Sequence, residues 1–451
     1  MDIGLITQMV LAAFMGTFLY TIIGIVPGTD ETAVIAPVTL ALVLSGMEPI
    51  VVLTFFMAAV IAHKLTDSVP VAVAGVPGGV MATPMVEHSM VLKTHGYSDM
   101  TIRKMISGSV IGTLVSVPAS LLLASLLIPL ANAIKSYANP IFFIGAIVLS
   151  LLSKNRWLAL VIIFPFAFLI QGLRYLYWGI GVVPEGTNVF TSFFLGITIG
   201  PVVVTLLDLL NKEKRTSLVR HESKVLRFNQ TNPFKGFPNP FKILTKRELL
   251  YSSLASILGS ITFIFSAVGT TVLIGELFSK REKEPVKKAS LAISCMEALA
   301  NATYISGTLI PLIALGIPLS SVALGPAQPL FNAPPVFTQD HNMHHILSFG
   351  EITLAIVIGI GISLFITYYL VVKYSTQITA FVFKWIPHEA ILGLFVALVV
   401  LLAYMDAGWM NIAGVLLVSL VAGTLHRWGI NFGIQFMILY SAPWITSLFI
   451  R

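Results

Sequence analysis

The sequence predicts an all-α polytopic membrane protein of about 10–12 transmembrane helices, in two homologous repeats that each carry a Gly/Pro-broken re-entrant hairpin. Three observations predict it. Mean hydropathy is +0.91, 56% of residues are hydrophobic and only 10% are charged, which excludes a soluble globular chain. Apolar runs long enough to cross a bilayer recur from end to end. An octapeptide occurs twice, at residues 70–77 (PVAVAGVP) and 311–318 (PLIALGIP), and both copies follow Pro-x4-Gly-[Val/Ile]-Pro. The offset is constant, since 311 − 70 and 318 − 77 both give 241, and the same shift carries Gly28-Thr29 onto Gly269-Thr270. Two transmembrane repeats, 1–210 and 249–451, then flank a basic cytoplasmic linker at 211–248. The repeats are expected to be inverted if an odd number of spans separates them.

A first span over residues 3–26 halts at Pro27-Gly28-Thr29-Asp30, and its lack of a basic n-region reads as a span rather than a cleaved signal. Asp30, Glu31 and Thr32 stand where a new helix begins, with acceptors suited to its orphan N–H groups. Helix capping and an ion site are both open to Asp30 and Glu31. An apolar stretch at 50–62 ends in His63-Lys64-Leu65-Thr66-Asp67-Ser68. Residues 63–79 are expected to form a re-entrant hairpin, and Asp67 is either an ion ligand or the partner of Lys64 or His63 near the membrane surface. Polar residues at 85–105 leave the membrane, and spans follow near 106–130, 139–153, 157–173 and 189–210. The linker carries ten Lys/Arg against Glu213, Glu222 and Glu248, and basic residues gathered in loops follow the positive-inside pattern. That pattern explains the net charge of +7 without nucleic acid.

The second half opens near 249, breaks at Gly269-Thr270-Thr271, and reaches Glu297 and Asn301 before the second octapeptide. Single Cys295 lies in an apolar segment and is assigned to packing. His341, His344 and His345 lack the Cys, Asp or Glu arrangement that would close a metal site, so none is expected. Further spans lie near 346–372, 389–405, 411–425 and 430–450.

Proline has no N–H and crowds the carbonyl four residues back. Pro70, Pro77, Pro311 and Pro318 would therefore strand the carbonyls of Thr66, Val73, Gly307 and Ala314. Unsatisfied backbone in hydrocarbon costs several kcal/mol, so broken segments survive where protein or a cavity covers them. Matched breaks in two halves are the sequence pointer to a secondary-transporter site. The expected substrate residues are Thr66, Ser68, Gly75, Pro77, Gly78, Thr308, Gly316, Pro318 and Ser320, holding an anion through hydroxyls and helix dipoles. The expected ion-coupling residues are Thr29, Asp30, Asp67, Glu297 and Asn301. Neither broken segment holds an obvious buried Arg.

At these residues the chain resembles the large membrane subunit of the tripartite tricarboxylate transporters, the TctA family. The matching stretches are Gly24-Ile25-Val26-Pro27-Gly28, Gly75-Val76-Pro77-Gly78, Met296-Glu297-Ala298-Leu299-Ala300-Asn301-Ala302 and Leu315-Gly316-Ile317-Pro318. The chain departs from the family pattern at Thr66-Asp67, Gly75, Ala300 and Leu319, which puts a tricarboxylate in doubt as the substrate. The resemblance implies a permease for a small organic anion, a carboxylate, energised by a Na⁺ or H⁺ gradient across the cytoplasmic membrane. It also implies a small membrane subunit and an extracytoplasmic solute-binding protein as partners; a homodimer is a further expectation. No resident cofactor is expected, Na⁺ being a candidate coupling ion. The alternative is a channel or membrane scaffold subunit. An enzyme is disfavoured, since neither His-Glu-x-x-His nor Gly-x4-Gly-Lys-[Ser/Thr] occurs.

Overall fold

Helix α1 (Ile3–Ile23) carries no charged residue and ends where Gly24 begins a turn. Helix α2 (Glu31–Leu44) starts at Asp30, whose carboxylate accepts the Thr32 N–H at 2.9 Å. Helix α3 (Pro49–Thr66) has proline in its first turn, where no N–H is needed, and it passes through Asp67 into α4 (Ser68–Ala74). Pro70 falls in the first turn of α4, so the chain continues as one 25-residue apolar helix over Pro49–Val73, buried almost throughout. In this computed structural model all residues are described except 1, 27–28, 75–79, 154, 188, 213–237, 265–266, 339, 386–387 and 450–451. Much of the linker and part of the first octapeptide, with Gly75, Pro77 and Gly78, therefore lie outside the described residues.

A 3₁₀ turn at Val80–Met85 leads into α5 (Val86–Thr94) and the long α6 (Ser98–Leu127). Then come α7 (Ala131–Ser136), α8 (Ala138–Leu152), α9 (Arg156–Gly179) and α10 (Phe190–Leu210). After α11 (Pro240–Ile243), α12 (Lys246–Ile261) opens with a capping box between Thr245 and Glu248, followed by α13 (Ala267–Ser279). Helix α14 (Pro285–Ile310) runs without a break into a π turn at Pro311–Leu315, and short α15 (Ser321–Leu324) and α16 (Met343–Ile346) follow. The chain closes with α17 (Phe349–Trp385), α18 (His388–Arg427) and α19 (Phe432–Ser447).

Among the described residues, eight helices are long and apolar enough to cross a bilayer, against the ten to twelve expected. The difference has two sources. Helices α8, α12 and α19, of 15, 16 and 16 residues, stand where spans were expected and are not among the eight; the 15 residues of α8 reach roughly 22 Å. The two helical stretches expected at 389–405 and 411–425 are both present and count once only because α18 runs through them; non-helical backbone at Ala407–Gly408 divides it between them.

Two helices form the centre. Helix α3 lies between α1 and α17, and α14 lies between α6 and α12. Glycines allow the close approach. A Cβ on Gly16 would come 2.8 Å from the Phe55 carbonyl, and one on Gly359 would come 2.6 Å from that of Thr54. A Cβ on Gly112 would come 2.5 Å from the Ala298 carbonyl, with Gly108 equally tight against Ser294 one turn away. Away from the centre, α6, α12 and α14 are tied at Glu248. Its carboxylate accepts from Lys104 Nζ at 2.6 Å and from the Ser290 hydroxyl at 2.5 Å. Burial pushes this carboxyl up, but the Lys104 ammonium and these hydrogen bonds hold it below the usual glutamate value.

Candidate functional site

The backbone breaks are closed by side chains from elsewhere in the chain. By sequence Pro27 strands the Ile23 carbonyl, and the Thr29 hydroxyl donates to it at 3.0 Å. The Val73 carbonyl, stranded by Pro77, accepts from Lys93 Nζ at 2.6 Å, and Ser89 donates to Val71 at 3.1 Å. The Gly307 carbonyl, stranded by Pro311, accepts the Ser320 hydroxyl at 2.6 Å, and Ser320 also caps α15 through the Ala323 N–H at 2.9 Å. Each is a buried polar group given a partner. Pro311 does not end its helix: the π turn shifts the bonding by one residue, with the Gly316 N–H donating to the Pro311 carbonyl at 2.8 Å.

The helix ends instead at Gly316, with φ +65°. The histidine loop is its anchor: His344 Nδ1 donates to the Leu312 carbonyl at 3.0 Å and Asn342 Nδ2 to the Gly316 carbonyl at 2.9 Å. A Cβ on Gly316 would come 2.6 Å from the His344 ring. Gly316→Ala is expected to destabilise the protein by about 1–3 kcal/mol, from left-handed strain and this contact together. A lowered unfolding midpoint in detergent checks it.

The polar centre is a buried charge cluster. Lys64 Nζ, on the last turn of α3, sits 2.9 Å from Glu31 Oε1 and 2.5 Å from Asp67 Oδ2. The Tyr304 ring of α14 lies 5.7 Å from the same ammonium. Glu297, about two turns before Tyr304 on the same face of α14, is within electrostatic reach of both Lys64 and Asp67, and its Oε2 accepts from Ser109 at 3.4 Å. Lys64, Glu31, Asp67 and Glu297 are each 3% exposed or less. Ligand atoms of Glu31, His63 and Asp67 lie within 4.8 Å of one another. Among the described residues, Asp67 Oδ1, Glu297 Oε1 and Asn301 Oδ1 have no hydrogen-bond partner. Asn301 Nδ2 donates across to α6, to the Ser109 carbonyl at 2.8 Å and the Thr113 hydroxyl at 2.6 Å. A cavity of about 110 Å³ adjoins the cluster, bounded by Asp30, Glu31, Tyr304 and the start of α19 at Asn431–Gly433.

The residues expected from sequence thus divide. Asp67 and Glu297 gather around Lys64, and Asn301 stands one turn beyond Glu297. Asp30 caps α2 and lines the cavity. The hydroxyls of Thr66, Ser68 and Thr308 donate to their own helices, to Ala62 at 2.7 Å, Leu65 at 3.4 Å and Tyr304 at 3.1 Å. Thr29 and Ser320 are engaged in backbone capping, and Pro318 is buried beside the Gly316 turn. The pairing of Asp67 with Lys64 is present, but inside the protein rather than at a surface. Sequence reasoning missed the central place of Lys64, with Glu31 and Tyr304 around it. The i, i+3 spacing of Lys64 and Asp67 was a readable signal; the bond to Glu31, 33 residues away, was not.

Helices of spanning length, closely packed glycines and a buried charge cluster define a polytopic helical membrane protein. The family model for the tripartite tricarboxylate transporter TctA family matches residues 10–437, and the chain belongs to that family. No curated protein and no solved structure matches it.

Proposed function

We propose that this chain is a secondary active permease that moves a small organic anion of the carboxylate class across the cytoplasmic membrane, coupled to a Na⁺ or H⁺ gradient. The Lys64 cluster carries the proposal. Three carboxyls, Glu31, Asp67 and Glu297, face one ammonium, so full ionisation leaves 1 − 3 = −2 charges in a site closed to water. Uncompensated buried charge carries a penalty of several kcal/mol per ion, which a proton or Na⁺ taken up at the free oxygens of Asp67 and Glu297 relieves. The anion would sit in the adjoining cavity, against the N–H groups that open α19.

Two repeats account for the architecture. Shifting α1, α3 and α10 by 241 gives 244–264, 290–307 and 431–451, beside the observed α12 (Lys246–Ile261), α14 (Pro285–Ile310) and α19 (Phe432–Ser447). In this reading the two octapeptides are the re-entrant tips of inverted halves, and a small membrane subunit and a solute-binding protein complete the transporter.

Uptake of a carboxylate panel into proteoliposomes, with and without an imposed Na⁺ or H⁺ gradient, tests the proposal. Gradient-driven accumulation is expected, lost in Asp67→Asn and Glu297→Gln while exchange down a substrate gradient persists. Flux that ignores every gradient would indicate a channel. Unchanged coupling in both variants would refute the role of the cluster.

A further inference from the structure

A second polar cavity, of about 240 Å³, lies between α9, α10, α19 and the segment after α15. It shares no lining residue with the cavity beside Lys64. Both touch α19, the first at Gly433 and the second at Leu439, which are six residues or roughly 9 Å apart along the helix. The volume is well above the ~15 Å³ that one water needs.

Three side chains give the cavity its chemistry. Arg174 enters from α9; Nη1 donates to Gln171 Oε1 at 3.2 Å, while Nε is buried without a partner among the described residues. No ion pair joins Arg174 to a carboxylate there, so a partly buried guanidinium faces the cavity without an anion. Asn332 is 2% exposed and its Oδ1 is unpartnered. Its backbone is held by Gln328 on both sides, the Asn332 N–H donating to the Gln328 carbonyl at 3.1 Å and Gln328 Nε2 to the Asn332 carbonyl at 2.7 Å. Tyr440 is 4% exposed, and its hydroxyl has Gln328 as a polar neighbour outside hydrogen-bond geometry. The Tyr440 ring is fixed between Phe142 and Phe190, each with its centroid 4.7 Å away. The site is therefore preorganised, with a cationic fork, a phenol that donates or accepts, and an amide oxygen that only accepts.

We infer that the Arg174–Asn332–Tyr440 cavity is a second anion site, which takes a small hydroxylated carboxylate on its way to or from the Lys64 cluster. The guanidinium pairs the carboxylate, and Asn332 Oδ1 requires a donor that a carboxylate lacks and a ligand hydroxyl supplies. This rests on the reading of the chain as a carboxylate carrier. A site built to bond a hydroxyl rejects the analogue without it, because its own buried acceptor is then left unpaired.

Trp178 lines the cavity, its Nε1 donating to the Thr187 carbonyl at 3.0 Å, and serves as a local reporter. Full-length protein in phosphatidylcholine nanodiscs is titrated with L-malate and with succinate, its dehydroxylated analogue, while tryptophan emission is followed; W178F supplies the background of the other tryptophans. A saturable malate response at Trp178 is expected, at least about tenfold weaker for succinate. R174Q should weaken malate by about tenfold or more, the effect of one charge-assisted hydrogen bond. N332A should bring the two ligands together, and Y440F gives a second measure if R174Q does not fold. The D67N protein, impaired in coupling, should keep the Trp178 response. No malate response alongside normal uptake overturns this site alone. A response with no transport sinks the carrier reading and leaves the site. A response that follows added phosphatidylglycerol and ignores malate overturns the inference in favour of a lipid headgroup.

Discussion

Replacing Lys64 with alanine is expected to produce the largest single loss of stability in this protein, about 3–5 kcal/mol, because it strips the counter-charge from carboxylates with no water to turn to. The ammonium is bonded to Glu31 and Asp67 at once, and all three are buried. Expression and the monodisperse fraction in detergent should fall sharply for Lys64→Ala. The triple variant Glu31→Gln/Lys64→Met/Asp67→Asn removes every charge of the trio and should recover most of the fold. It should not recover gradient-driven uptake. A stable, fully coupled Lys64→Ala protein would show that the cluster is neither a structural nor a coupling element.

The second large effect is expected at the crossing of α6 and α14. Gly112→Leu puts a side chain where even a Cβ meets the Ala298 carbonyl at 2.5 Å, and backbone cannot give way as a rotamer can. Overpacking of this kind costs about 1–3 kcal/mol or more. Here the displaced helix also carries Glu297 and Asn301, so uptake should fall further than stability does. Gly361→Ala is the control, since a Cβ there meets open space; its unfolding midpoint and uptake should match those of the parent protein. Equal behaviour of the two variants would mean that helix separation at this crossing is unimportant.

Local chemistry made much of the fold legible. Apolar length marked most helices to within a few residues, and the octapeptides marked where long helices end. Proline was read too strictly as a breaker. Pro70 falls in a first turn and Pro311 is absorbed by a π turn, so the break moves on to Gly316. Orphaned carbonyls were predictable from sequence at Val73 and Gly307, but their donors were not. Lys93 is 20 residues beyond Val73, and Ser320 is 13 beyond Gly307. For the same reason the hydroxyls of Thr66, Thr308 and Ser320 looked free and are engaged. Asp67 and Glu297 stood out as carboxylates in apolar sequence, whereas nothing local marked Lys64 as the charge that joins α2 to α3.

The interleaving of α3 between α1 and α17, and of α14 between α6 and α12, bears on how the chain matures during synthesis. One wall of α3 is α17, which begins at Phe349, 349 − 66 = 283 residues after α3 ends. At ~5–20 residues per second, roughly 15–60 s of translation pass before that wall exists. Throughout that interval the α3 face that α17 will cover lies open to lipid or to the insertion machinery, on the same helix that carries Lys64 and ends at Asp67. The packing of α3 is thus completed only after α17 has been made, so the first half does not reach its final packing during its own synthesis.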